Sequence, residues 1–107
     1  MKQVENTPHL ESVLIKSTAL ANDKRLQILA LLKEPSLYFS DEQWDQNEGV
    51  CGLYIAEKLL ISKPTASSHL KILGQAGFLI PTRIGKYTYF KRDELALNAF
   101  SELIQEL

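Results

Sequence analysis

Apolar residues recur along this chain at helical spacing in four or five stretches and take on a strand-like, β-branched and aromatic character in one, just past residue 77. The pattern predicts a mostly α fold with a small β-hairpin. The first helix is expected from about Pro8 to Ala21, with Thr7 as cap, Pro8 in the first turn, and Leu10, Val13, Leu14 and Ser17 on one face. Asn22 or Asp23 opens the second, whose Leu26, Ile28, Leu29, Leu31 and Leu32 are too many for a narrow stripe and imply deep burial before Pro35 ends it. Residues 36–49 carry four acids, no base and scattered aromatics, and read as a surface loop pinned by Tyr38, Phe39 and Trp44.

A third helix is expected from about Val50 to Leu59 and a fourth from Ser62 to Gln75, joined by the short connection Leu60-Ile61, with Gly77 as the stop. The run FLIPTRIGKYTYFKR then turns at Gly85. Pro81 cannot donate a ladder hydrogen bond, so it demands an edge, and in a two-stranded hairpin both strands are edges. The last segment, Asp93 to Leu107, starts on a capping acid and places Leu95, Leu97, Phe100, Leu103, Ile104 and Leu107 at helical spacing. Such a helix needs a partner surface.

Short helix, tight turn, second helix and basic hairpin, in that order, is the layout of a winged helix-turn-helix. The second helix of such a unit must enter a major groove about 12 Å wide, so it needs a rigid platform. Ala56 is small where the two helices meet, Leu59 and Ile61 fill the space between them, and Ala66, Leu70 and Leu73 anchor the second helix inward. The opposite face displays Lys63, Thr65, Ser67, Ser68 and Lys71, short hydroxyls and long cations that suit base edges and phosphates. Ser62 is the expected cap of that helix, and its first-turn N–H groups can hold a phosphate. His69 borders the inward face, as a packed or phosphate-contacting residue. On the hairpin, Arg83, Lys86, Tyr87 and Tyr89 surround the turn and form a finger that can lie on the backbone or in the minor groove. Lys91 and Arg92 either extend this surface or pair with Asp93 or Glu94.

Charge sharpens the picture. The chain as a whole is at −1, but Lys58 to Arg92 holds seven of the 12 Lys and Arg and none of the 13 Asp and Glu, leaving five bases against thirteen acids, or −8, elsewhere. That polarity points to a polyanionic partner, double-stranded DNA. A chain of 107 residues with 45% hydrophobic content is expected to be one domain, residues 1–107. With no apolar run long enough for a bilayer and no signal-peptide core at MKQVENTPHL, it is expected to be cytoplasmic with no membrane partner. One cysteine and two isolated histidines supply neither a nucleophile with its base nor a metal cluster, so no enzyme, cofactor or metal is expected.

The segments ALANDKRLQILALL, IAEKLLISKPTASSHLKILGQAGFL and RIGKYTYFKRDE resemble the ArsR/SmtB family of bacterial repressors, over about Ala19 to Leu32 and Val50 to Glu94. The resemblance implies a homodimeric, DNA-binding transcriptional repressor that reads an inverted-repeat operator through Ser62 to Lys71, touches DNA with its wing, and is released by a small inducer. It also implies a two-fold interface between the first and last helices, for which Leu10, Val13, Leu14, Phe100, Leu103 and Ile104 are the apolar candidates.

The family's inducer sites fit less well. Arsenic sensors carry a Cys-Val-Cys pair where this chain has Cys51-Gly52-Leu53, and zinc sensors carry His and Asp ligands on a last helix that here has no His. Soft metalloids need about three thiolates, and a dimer of this chain has two. Cys51 alone is a candidate redox or electrophile sensor, being near a helix N-terminus, or else a buried filler; His9 could join it only if a dimer brought the two together. The competing class is a winged-helix module that binds another protein through its terminal helices and acidic loop.

Overall fold

The computed structural model describes residues 9–107, so the expected Thr7 cap and Pro8 first turn lie outside the described residues. Within them the order is α1 (Leu10–Leu20), α2 (Asp23–Lys33), a 3-10 turn (Pro35–Leu37), β1 (Trp44–Asp45), β2 (Gly49–Cys51), α3 (Gly52–Leu59), α4 (Lys63–Gln75), β3 (Leu79–Ile84), β4 (Tyr87–Arg92) and α5 (Glu94–Gln105).

Three helix starts follow from short polar caps. The Asn22 side chain accepts the Arg25 N–H at 3.2 Å, Ser62 Oγ accepts the Thr65 N–H at 3.2 Å, and Asp93 Oδ1 accepts the Ala96 N–H at 3.0 Å. The end of α4 is a Schellman motif. Gly77 takes φ 89°, its N–H donates to the Gly74 carbonyl, and the Phe78 N–H reaches back to the Leu73 carbonyl. The chain thus leaves α4 sharply and enters β3 with Phe78 fully buried.

The core gathers Ile28, Leu31 and Leu32 of α2, Ile55 and Leu59 of α3, Leu70 and Leu73 of α4, with Val50 and Phe78. Leu26 departs from the expected deep burial of α2 and is about half exposed, since it sits on the outward side of the helix. Leu97 and Phe100 bring α5 onto this core, and the Phe100 ring meets Phe78 edge to face with centroids 5.4 Å apart.

The hairpin is larger than the sequence pattern shows. β1 pairs with β2, and β2 pairs with β4 through Val50↔Phe90 and Cys51↔Tyr89, making a four-stranded antiparallel sheet of order β1-β2-β4-β3. Residues 36–49 are therefore no plain loop, and Val50 and Cys51 belong to a strand instead of opening the third helix. Of the two hairpin strands, β4 is covered by β2 and β3 stays at the edge of the sheet, and β3 is the strand that carries Pro81. Strands of two and three residues are too short to show a period, which is why the pattern missed them. Two features hold them in place. Asp45 Oδ2 accepts the N–H groups of Asn47 and Glu48, both at 2.8 Å, closing the β1–β2 turn. Gly49, at φ 94°, lies so close to β4 that a Cβ there would stand 2.0 Å from the Phe90 carbonyl oxygen. Phe39 is buried and Trp44 half-buried against the core, while Tyr38 stays exposed.

Candidate nucleic-acid interface

The helix-turn-helix is α3, Leu60-Ile61 and α4. Ala56, Leu59, Ala66, Leu70 and Leu73 are buried between the helices and the core, and Ile61 packs against it, so the platform is built as the apolar spacing requires. The turn is made by a non-glycine residue: Leu60 adopts φ 57° and ψ 41°, donates its N–H to the Glu57 carbonyl, and lets the Ile61 N–H reach the Ala56 carbonyl. This second Schellman closure aims α4 away from α3.

Ser62 at the N-cap of α4 and Lys63, Thr65, Ser67, Ser68 and Lys71 along it are all exposed. Ser62 is partly engaged there, because its hydroxyl also donates to Thr65 Oγ1 at 2.9 Å. Lys63 begins the helix and Pro64 follows in its first turn, where a missing N–H is harmless. Lys63 and Lys71 have no carboxylate partner among the described residues.

His69 is placed differently from its neighbours. It is half-buried, and its Nδ1 lies 3.2 Å from Nη1 of Arg25 on α2. The same guanidinium donates through Nε to the Ala19 carbonyl at 2.6 Å and through Nη2 to the Thr18 carbonyl at 3.2 Å. Arg25 thus ties the last turn of α1, which has no basic residue of its own, to α4. Burial, then the positive charges of Arg25 and Lys24, hold the His69 imidazole below its ordinary pKa. Sequence reasoning missed Arg25; three residues past a capping Asn it reads only as a soluble helix position.

The wing is β3–β4. Its two-residue turn has Gly85 at φ 61° followed by Lys86, with Ile84 and Tyr87 paired across it, the sign pattern of a type II′ hairpin. Arg83 Nε donates to the Gly85 carbonyl at 3.0 Å, so this side chain braces the turn while remaining exposed. Lys86 projects at the tip and Tyr87 is about half exposed beside it. Tyr89 is not at the turn. It is half-buried in mid-strand, opposite Cys51 on one side and Thr82 on the other.

Lys91 and Arg92, which the sequence left open, are structural. Lys91 Nζ donates to the Asn47 carbonyl at 2.8 Å, holding the β1–β2 turn. Arg92 Nη2 donates to Glu94 Oε1 at 3.0 Å, and Nη1 reaches the Leu29 carbonyl at 3.3 Å. Its Nε lies 2.9 Å from Glu94 Oε2, an ion-pair distance without hydrogen-bond alignment.

The other sequence candidates separate. Cys51 is buried at the end of β2 and precedes α3. His9 is exposed at the start of α1. No group of three or more His, Cys, Asp or Glu able to hold a metal occurs among the described residues, and none of their helices is long and apolar enough to cross a membrane. On the terminal helices, Val13 turns into its own chain and is buried, and Phe100 packs on Phe78, so both serve the monomer's core. Leu10 and Leu103 are half-buried, whereas Leu14 is 67% and Ile104 42% exposed. Ile15, which the sequence pattern did not single out, is exposed beside Leu14.

No family model matches the chain. It is 46% identical over 89 residues to the uncharacterized HTH-type transcriptional regulator YbzH of Bacillus subtilis (strain 168), covering 81% of this chain and 89% of that protein. Among solved structures it is similar to a homodimeric winged helix-turn-helix DNA-binding domain of Mycobacterium bovis, described as a possible ArsR-family transcriptional regulator. There the identity is 26%, the TM-score 0.68, and the match covers 98% of this chain and 85% of the other. HlyU from Vibrio cholerae N16961, at 19% identity and TM-score 0.65 over 92% of this chain and 94% of that one, shares the fold.

Proposed function

Because this chain belongs to the ArsR family of winged helix-turn-helix transcriptional regulators, we propose that it is a cytoplasmic repressor that binds double-stranded DNA as a homodimer and leaves it on binding a small inducer. It acts by occupying an operator and not by catalysis, with residues 1–107 working as one DNA-binding domain. The observation that carries this reading is the surface formed by α4 and the wing. From Lys58 to Arg92 there is no acid, and Lys63, Lys71 and Lys86 stand exposed and unpaired among the described residues around the hydroxyls of Thr65, Ser67 and Ser68.

In this reading α4 enters the major groove. Ser67, Ser68 and Thr65 meet base edges, Lys63 and Lys71 meet phosphates, Ser62 presents the helix N-terminus, and His69 is held beside the backbone by Arg25. Lys86 and Tyr87 extend the contact, with Arg83 stiffening the wing behind them and Tyr89 supporting it from mid-strand. The dimer forms through α1 and α5, where Leu14, Ile15 and Ile104 are the exposed apolar groups and Leu10 and Leu103 flank them. Val13 and Phe100 back that surface from within. Two-fold symmetry then sets half-sites about one helical turn, roughly 34 Å, apart, and requires an inverted repeat. Cys51, buried at the end of β2, is core filler in this account and not a sensor.

Footprinting on the protein's own promoter region would locate the operator, and fluorescence anisotropy across a salt series would test the surface. Lys86→Ala should weaken binding to all duplexes and lower the salt slope by about one. Ser68→Ala should cost on the order of 1 kcal/mol on the operator and relax preference at one position per half-site. Absence of any duplex binding at low salt would refute the reading and favour a protein-binding module. A monomer at micromolar concentration in light scattering would refute the dimer.

A further inference from the structure

Behind the DNA-facing surface, the recognition helix and the wing do not close on each other. A cleft of about 320 Å³ lies between them, at the small end of the range of ligand pockets. Its floor is apolar, made by Leu53 of α3, Leu70 of α4 and Phe90 of β4. Gly52 keeps that floor open. A Cβ at this position would stand 3.1 Å from Phe90 Cε2 and 3.7 Å from Leu70 Cδ1, so any side chain would occupy the space.

The rim has the opposite character. Lys63 at the start of α4 and Lys86 at the wing tip both line the cleft together with Ser67 and Thr88, and no carboxylate borders it. Two lysines with no carboxylate partner among the described residues, both lining an apolar slot, favour an anion over a neutral molecule. The hydrocarbon floor favours an anion with an apolar body over a free phosphate, whose hydration it cannot replace.

We propose that this cleft binds a small amphipathic monoanion, a flat aromatic or short aliphatic carboxylate, with its hydrocarbon on Leu53, Leu70 and Phe90 and its carboxylate between Lys63 and Lys86. The regulatory consequence rests on the DNA-binding reading above. Lys63, Ser67 and Lys86 serve both the cleft and the DNA face, so an occupied cleft withdraws two cations from phosphate and lifts the protein from its operator. This identifies the inducer by chemistry. It needs neither a metal nor Cys51.

Binding is tested first without DNA, by amide NMR titration of the full-length protein with naphthoate, its neutral isostere naphthylmethanol, and inorganic phosphate. Naphthoate should saturate and shift the Gly52, Leu53 and Thr88 amides, and the alcohol should bind at least about tenfold more weakly, the loss of one charge-assisted contact. Phosphate alone should not produce those shifts. The exposed double substitution Lys63→Gln with Lys86→Gln should cost naphthoate about tenfold or more, and Gly52→Val should abolish binding by filling the floor. The lysine variant, which alters only exposed side chains, decides the matter if Gly52→Val does not fold. Equal binding of acid and alcohol, shifts confined to α1 and α5, or an unaffected lysine variant would overturn the proposal. In a second arm, naphthoate should raise the dissociation constant for duplex DNA. Cleft binding without that competition would overturn the inducer role, while a protein that binds no duplex at all loses the DNA-binding reading and leaves the titration to judge the cleft.

Discussion

The guanidinium of Arg25 joins stability and ionisation to the position of α4. Replacing it by Gln removes the charge and shortens the reach, so the Ala19 and Thr18 carbonyls at the end of α1 and the His69 ring on α4 lose their shared donor together. Hydrogen bonds to a charged group contribute about 1.5–3 kcal/mol each when well buried. Arg25 is only half-buried and water can replace part of what is lost, so the three together should be worth about 2 kcal/mol after discounting for solvent. For a domain of this size that corresponds to a fall in Tm of about 8 °C. Urea denaturation at fixed protein concentration would read the free energy, with m unchanged if only the folded state is affected. A second readout separates this clip from generic damage. Since Arg25 is the second cause of His69's lowered pKa, after burial, the imidazole should titrate at higher pH in Arg25→Gln, yet stay below its ordinary value because burial and Lys24 remain. A loss below about 0.5 kcal/mol, within the scatter of surface substitutions, with an unmoved His69 titration would refute the coupling of α1 to α4 through this residue.

Acidification should act through the same imidazole. His69 is neutral-favouring in the fold, so the unfolded chain takes its proton first. This contribution to stability should be complete above about pH 6.5, decline as pH falls from there to the lower folded pKa, and level off beneath it; the difference between wild type and His69→Gln in denaturation at several pH values isolates it, and a difference independent of pH would contradict the assignment. Leu60 sits in the left-handed region with its side chain 92% exposed. Leu60→Gly should therefore stabilise by about 0.5–1 kcal/mol, whereas Leu60→Ile, β-branched, should destabilise by about 1 kcal/mol; thermal melts giving the same sign for both would contradict the strain. At Gly49 the positive φ and the Phe90 carbonyl leave no room for a methyl group, so Gly49→Ala should cost about 3 kcal/mol or more and free the β1–β2 ribbon from the sheet. Hydrogen exchange at Val50 and Cys51 that stayed as slow as in wild type would argue against that close approach.

Much of the candidate interface is legible in the sequence because its signals are local. A capping Ser62, a proline in the first helical turn, inward apolar residues at Ala66, Leu70 and Leu73, and a glycine stop at Gly77 act over one or two turns, where side-chain type and backbone geometry are tightly linked. The same holds for the Gly85 turn and for a basic stretch with no acid in it. What the sequence could not carry are contacts whose partners lie far apart along the chain. The β1–β2 ribbon exists only because β4 pairs with it, and Lys91, read as an open question, is bound to Asn47 across 44 residues. Arg25 reaches His69 across the same separation, Phe100 turns inward because α5 meets Phe78, and the cleft under the wing is the space left between three elements. Local preference decides which residues become helix, turn or wing; which polar group finds which partner, and which apolar face is left over for another molecule, is decided only when the elements pack.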